Sequence, residues 1–368
     1  MSTATRRSPL TDWTVVVPLV ALVALALSWG RDLPGPAVAL VALCLAGAVL
    51  AAVHHAEVVA HRVGEPFGSL VLAVAVTVIE VALIVTLMAD GGGEKTSSLA
   101  RDTVFAAVMI TCNGIVGLSL LVGALRNRVA VFNAEGSGAA LATVATLATL
   151  SLVLPTFTTS KPGPEFSAAQ LGFAAVASLA LYGLFVAVQT VRHRDYFLPV
   201  PTEGGTCAPE DHADPPTSRA ALVSLALLMA ALIAVVGDAK AVSPTIESGV
   251  ADAGLPHAVV GVIIALLVLL PETLAAVRAA RRDRVQTSLN LAYGSAIASI
   301  GLTIPAIALA TIWLSGPLTL GLDATHMVLL ALTVVVGALT VVPGRATLLQ
   351  GGVHLVILAA YLFLAVSP

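Results

Sequence analysis

The sequence predicts an all-α polytopic membrane protein of about eleven transmembrane helices, with two inverted five-helix repeats behind one extra N-terminal helix. Three observations predict this. The 368 residues are 58% hydrophobic and 11% charged, whereas a soluble domain carries about 25% charged residues. Apolar runs long enough to cross a bilayer recur between short polar turns, without the period-two alternation of a barrel strand. Lysine and arginine crowd every second connection.

The spans read as residues 13–29, 36–53, 67–89, 103–125, 137–155, 168–190, 220–236, 257–277, 287–314, 325–342 and 346–366. With the N-terminus in the cytoplasm, 13 of the 18 Lys and Arg fall in inside segments and 5 in outside ones. The positive-inside rule then places the C-terminus outside. Residues 1–35 form the extra helix, read as retained rather than as a cleaved signal peptide, although Arg6 and Arg7 precede it. Residues 36–191 form the first repeat, 192–219 a cytoplasmic linker and 220–368 the second repeat. The linker is Pro-rich and carries Glu203, Glu210, Asp211, His212 and Asp214 without EF-hand spacing, so it reads as a flexible connection. A net charge of −3 gives no basic surface for nucleic acid, and Cys44, Cys112 and Cys207 are too scattered for a disulfide framework or zinc site.

Two glutamates stand inside strongly apolar stretches: Glu80 in residues 70–88 (LVLAVAVTVIEVALIVTLM) and Glu272 in residues 259–277 (VVGVIIALLVLLPETLAAV). A carboxylate at the bilayer centre costs about 3 kcal/mol on insertion scales, so it is retained mainly where it functions. Shifting the first half by 192 residues lays Glu80 on Glu272. A shift of 182 lays Cys112-Asn113-Gly114 on Gly294-Ser295-Ala296. Five spans per half is an odd number, so the second repeat enters the membrane from the opposite face. Secondary transporters use this architecture, with a site at the repeat interface near the midplane.

The chemistry that these residue types support is cation and proton exchange. Pro271 frees a backbone carbonyl beside Glu272. Asn113, Gly114, Gly294, Ser295 and Ser299 add small groups and neutral oxygens at matching depth, and hard cations prefer such oxygen ligands. Helix-packing roles are the plain alternative for the amide and hydroxyls. Two neighbouring carboxylates in low dielectric cannot both ionise cheaply, so protons and a cation compete for their oxygens. Glu57 and His61 share a helix face at the cytoplasmic end of span 2, as a proton relay or as a solvated helix end. Asp238 and Lys240 are read as an outer loop. Ser243-Pro244 follows as a helix start, with Glu247 at the outer mouth or as a first-turn acid.

Residues 54–84 (HHAEVVAHRVGEPFGSLVLAVAVTVIEVALI), 243–256 (SPTIESGVADAGLP), 269–280 (LLPETLAAVRAA) and 290–305 (NLAYGSAIASIGLTIP) resemble the bacterial ChaA-type calcium/proton antiporters of the calcium/cation exchanger superfamily. The resemblance runs from about residue 36 to the end. It implies ten core helices in inverted repeats, with cation-site glutamates at Glu80 and Glu272 and polar motifs at Asn113-Gly114 and Gly294-Ser295. Many members carry Gly-Asn ahead of each glutamate; Val78-Ile79 and Leu270-Pro271 stand there instead, which bears on the liganding shell.

The expectation is therefore a bacterial inner-membrane antiporter that expels Ca²⁺ in exchange for H⁺. Na⁺ and K⁺ are alternative or additional cargo, and no resident cofactor is expected. A monovalent cation/proton antiporter on the same fold is the nearest rival and a cation channel a remoter one. An ATP-driven pump is disfavoured by the lack of a GxxxxGK[ST] loop, and an enzyme by the lack of a nucleophile–base set within the spans.

Overall fold

The computed structural model describes residues 12–31, 33–63, 67–90, 97–200, 216–256, 258–313 and 316–367, with part of the side chains of 67–90. The acidic linker residues Glu203, Glu210, Asp211, His212 and Asp214, and the paired Arg6 and Arg7, lie outside the described residues.

Eleven helical rods run through the described residues. They are α1 (Trp13–Ser28), α2 (Gly35–Val63), α3 (Phe67–Asp90), α4 (Leu99–Asn127), α5 (Ala134–Phe157), α6 (Ala168–Arg192), α7 (Ser218–Asp252), α8 (Ala258–Arg281), α9 (Val285–Ala310), α10 (Ala324–Val341) and α11 (Leu348–Val366). Nine of them are long and apolar enough to cross a membrane. Their starts follow from local chemistry. Asn133 accepts from the N–H groups of Glu135 (2.9 Å) and Gly136 (3.0 Å), and Asp323 accepts from that of His326 (2.9 Å). Ser167 with Gln170, and Thr347 with Gln350, close reciprocal capping boxes. Each cap satisfies N–H groups that a helix start leaves without intrahelical partners.

The chain divides into two compact units, residues 1–87 with 212–249 and residues 88–211 with 250–368, so the boundaries fall inside α3 and α7. The units do not follow the repeats: the smaller takes helices from both.

In the smaller unit, α1 is tied to α2 where His55 Nε2 donates to the Thr14 carbonyl at 2.9 Å. The Trp13 and His54 rings lie 6.2 Å apart beside it. The helix α7 meets α2 through Val242 against Val38 and Val41, with Ala241, Ile246, Leu33 and Ala42 around them. One expectation fails here. Ser243-Pro244 does not start a helix: α7 runs unbroken for 35 residues with Pro244 inside it. Ser243 Oγ donates to Glu247 Oε1 at 2.9 Å one turn on, which keeps the segment's polar groups within the rod. Asp238 and Lys240 are therefore helical rather than part of a loop.

In the larger unit, α4 is the most enclosed span, packed against α8, α9 and α11. A two-residue antiparallel bridge pairs β1 (Ala130–Val131) with β2 (Arg345–Ala346), extended by Phe132 N–H donating to the Gly344 carbonyl at 3.0 Å. The α4 end carries Arg128 at φ 65°, a left-handed residue where glycine is usual. Nearby, Arg126 Nη1 donates to the Arg281 carbonyl (2.7 Å) and Asn127 Nδ2 to Asp283 Oδ1 (2.7 Å). These contacts fasten the end of α4 to the α8–α9 turn.

Candidate cation and proton sites

The Asn113-Gly114 motif lies in the middle of α4, inside a π-helical segment, Ile110–Ile115. Such wide turns occur mostly as single insertions within α-helices, frequently at functional sites. Asn113 is 0% exposed. Its Nδ2 donates to Thr333 Oγ1 of α10 at 2.9 Å, and Thr333 Oγ1 donates onward to the Leu329 carbonyl at 2.8 Å. On its other side, Asn113 Oδ1 accepts from His354 Nδ1 of α11 at 3.2 Å. With its proton on Nδ1, the ring turns Nε2 to Thr340 Oγ1, 3.2 Å away, and accepts from that hydroxyl. A directed chain of hydrogen bonds thus crosses three helices: Thr340 to His354, to Asn113, to Thr333, to a backbone carbonyl. All four side chains are buried. Each would be costly without its partner in a dry interior.

Glycine makes this approach of α11 feasible. A Cβ on Gly117, one turn from Asn113, would stand 3.0 Å from His354 Cβ and 3.1 Å from the Gly351 carbonyl oxygen. One on Gly114 would stand 3.0 Å from Leu358 Cδ2. Small residues allow two membrane helices to pack backbone to backbone.

Glu272 lies partly buried within α8, directly after Pro271, and the helix continues through both to Arg281. Proline has no N–H for the carbonyl one turn back, so an acceptor is released at the depth of the carboxyl group. Thr273 Oγ1 donates to the Leu269 carbonyl at 2.7 Å beside it. One turn beyond, the Ala276 carbonyl accepts from Ser288 Oγ of α9 at 2.7 Å, and Ser288 meets Ser119 of α4 at 2.5 Å. Hydroxyls therefore bind α4, α8 and α9 to one another.

Gly294 and Ser295 are partly buried on α9, and Ser299 is 3% exposed. Space is open at Gly294, where an added Cβ would meet no heavy atom within 4 Å. The preceding Tyr293 is fully buried, and α9 packs directly on the π-helical segment of α4. The two polar motifs thus belong to helices in contact. Asn290 is committed elsewhere: its Nδ2 donates to the Phe197 carbonyl (2.6 Å) and its Oδ1 accepts from Gln286 (2.8 Å).

In the smaller unit, Glu80 is 5% exposed on α3, with Thr77 and Ile79 also buried. Glu57 and His61 lie exposed near the end of α2, where Arg62 Nη2 donates to Ser218 Oγ of α7 at 2.8 Å. Glu247 is partly buried on α7 and held by Ser243.

Sequence reasoning missed the polar partners of Asn113. It also missed a charged group near the start of α4. There Asp102, 7% exposed, accepts from Ser98 Oγ (2.9 Å) and pairs with Arg101 (2.7 Å), while Arg101 Nη1 reaches the Gly321 carbonyl (3.2 Å). Phe105 stacks edge-on against His326 at 4.9 Å and Tyr361 at 5.5 Å, and His326 pairs with Asp323 at 2.6 Å. Burial pushes the Asp323 carboxyl up, but the His326 N–H, the His326 ring and Arg101 outweigh it and hold the group below its ordinary value.

Comparison with known proteins adds to this geometry. The profile of the sodium/calcium exchanger protein family matches residues 33–191 and 223–367. The chain is 47% identical over 363 residues to the putative ionic transporter y4hA of Sinorhizobium fredii (strain NBRC 101917 / NGR234), covering 97% of this chain and 96% of that one. It is 35% identical over 355 residues to the sodium-potassium/proton antiporter ChaA of Escherichia coli (strain K12), covering 95% of each. Its fold is similar to that of the H⁺/Ca²⁺ exchanger CAX, with a TM-score of 0.71 at 16% identity over 95% of this chain and 86% of the other.

Proposed function

The chain belongs to the sodium/calcium exchanger protein family, and from that premise we propose that it is a cytoplasmic-membrane antiporter that expels Ca²⁺ in exchange for protons. The observation that carries this reading is the repeat-matched pair of intramembrane glutamates, Glu80 and Glu272, each within an apolar helix. Each carboxyl alternates between two states. As carboxylate it shares the charge of the cation; as acid it is neutral and releases the cation. The Ser295 side chain contributes a neutral oxygen, and Asn113 contributes its amide oxygen by giving up its bond from His354. Open space at Gly294 leaves room for rearrangement, Gly114 lets α11 close on α4, Ser299 adds a further hydroxyl, and Pro271 supplies a freed carbonyl. Glu57, His61 and Glu247 serve the approaches on the two sides. The repeats rearrange around the site so that it opens to one side at a time.

A second reading keeps the fold and site but takes Na⁺ or K⁺ as cargo. It is favoured by the sodium-potassium/proton activity in the name of the ChaA relative. Everted vesicles holding a proton gradient separate the readings. Ca²⁺ addition should release protons, and release with Na⁺ or K⁺ alone assigns the monovalent reading. Glu80→Gln and Glu272→Gln should each abolish the response. Wild-type behaviour in both variants would overturn the site assignment.

A further inference from the structure

A third buried acid has no place in that reading. Asp238 sits within α7, is 0% exposed, and neither Oδ1 nor Oδ2 has a hydrogen-bond partner. The residues on either side of it along α7 pack on apolar groups of α1 and α2. The preceding Gly237 packs against Leu25 of α1, and the following turn places Ala241 and Val242 against Val38, Val41 and Ala42 of α2. Asp238 is therefore a buried carboxyl group enclosed where α1, α2 and α7 meet.

Among the described residues no cation is hydrogen-bonded to it; the nearest along α1 is the exposed Arg31, just past the helix end. On its own helix, Lys240 is two residues on and exposed, about 200° around the rod. Arg219 lies a further 19 residues back on the same helix, about 28 Å along the axis. Glu247 is the only other acid between Asp238 and the end of the unit's portion of α7. Helix α1 has no titratable side chain between Trp13 and Ser28. Beyond Cys44, α2 carries His54, His55, Glu57, His61 and Arg62, all toward its far end. Helix α3 contributes another acid, Glu80. A bare carboxylate with neither water nor donors is among the costliest groups to bury, and a proton removes the charge that makes it so.

We propose that Asp238 is a proton-binding site of the smaller unit. The acid is sealed in the arrangement seen here, and it gives up its proton when α1, α2 and α7 part to admit water during exchange. Its place in the transport cycle rests on the exchanger reading. Its protonated state can be tested without that reading.

Dicyclohexylcarbodiimide partitions into bilayers and attacks acids that retain their proton. The carboxyl oxygen bonds to the central carbodiimide carbon, the acid proton passes to a nitrogen, and an acyl shift leaves a stable N-acylurea. The full chain carrying Glu80→Gln and Glu272→Gln, reconstituted in liposomes, should form this adduct on the peptide containing Asp238, read by mass spectrometry. Labelling should fall as pH rises, and Asp238→Asn should abolish it. An unlabelled Asp238 peptide at every pH overturns the proposal. In the otherwise native chain, Asp238→Asn should lower the protons moved per cation and flatten the pH dependence of exchange. An unchanged ratio and profile would likewise overturn it. If wild-type vesicles couple no cation to protons, the exchanger reading fails, while the adduct still decides whether Asp238 holds a proton.

Discussion

Replacing His354 by alanine tests the hydrogen-bond chain across α4, α10 and α11. The substitution removes the donor to Asn113 Oδ1 and the acceptor for Thr340 Oγ1, each 3.2 Å away. Asn113 is 0% exposed and Thr340 2%, so no solvent replaces the lost partners. A buried acceptor left unsatisfied costs about 1–3 kcal/mol, and hydrogen bonds between membrane helices are individually worth about 0.6–1.7 kcal/mol. The vacated imidazole volume adds a cavity cost, so the total should be about 2–4 kcal/mol. Thr340→Val keeps its volume and breaks only the Nε2 contact, so it should cost about 1 kcal/mol. The sharper measurement is a double-mutant cycle of Asn113→Ala and His354→Ala, read by reversible unfolding in detergent. The two losses overlap, because either substitution destroys the same bond. Their sum should exceed the double mutant by about 0.5–2 kcal/mol. Strict additivity would mean that the side chains do not interact, and the chain would be refuted.

Two further outcomes follow from local geometry. Gly351→Val should destabilise the chain by at least about 1–3 kcal/mol, because a Cβ there would stand 2.8 Å from the Leu121 amide nitrogen and 3.0 Å from the Gly117 carbonyl oxygen; the thermal midpoint in detergent measures it, and Gly352→Ala, with open space around its Cβ, is the matched control. Asp323→Ala removes the α10 cap and should cost about 1 kcal/mol. The Asp323 carboxyl is held below its ordinary value, so its contribution is full above the ordinary carboxylate range and disappears as pH falls through the lowered value. The gap between wild type and Asp323→Ala in a pH series of melting points should therefore close on acidification, and a gap independent of pH would contradict the assignment.

The rods were legible because hydrocarbon imposes length and apolarity on each of them. The predicted 67–89, 137–155 and 325–342 became Phe67–Asp90, Ala134–Phe157 and Ala324–Val341. The exceptions are α2, read as 36–53 but helical to Val63, and α7. Asp238, Lys240 and Pro244 look like loop residues when depth is judged from polarity alone. They sit inside a helix because its apolar stripe against α2 continues through Val242 and Ile246. The polar motif at Asn113-Gly114 was visible as a repeat match, but its partners were not. Thr333, Thr340 and His354 are single polar residues scattered over two apolar helices more than 200 positions away, and no local period joins them. Glycines at 114, 117 and 351 were the available hint, since they mark where α11 can close on α4. The π-helical widening at Ile110–Ile115 left no composition signal.

The small β1–β2 bridge bears on a question of parity. Ala130 pairs with Ala346 and Val131 with Arg345. Two backbone segments joined edge to edge must emerge at the same surface of the bilayer. Every membrane crossing between them therefore has to be matched by a return. Six rods, α5 to α10, occupy that interval, and six is even. Removing any one of them from the count would put residues 131 and 345 on opposite surfaces, so four residues of strand cross-check the topology of half the chain.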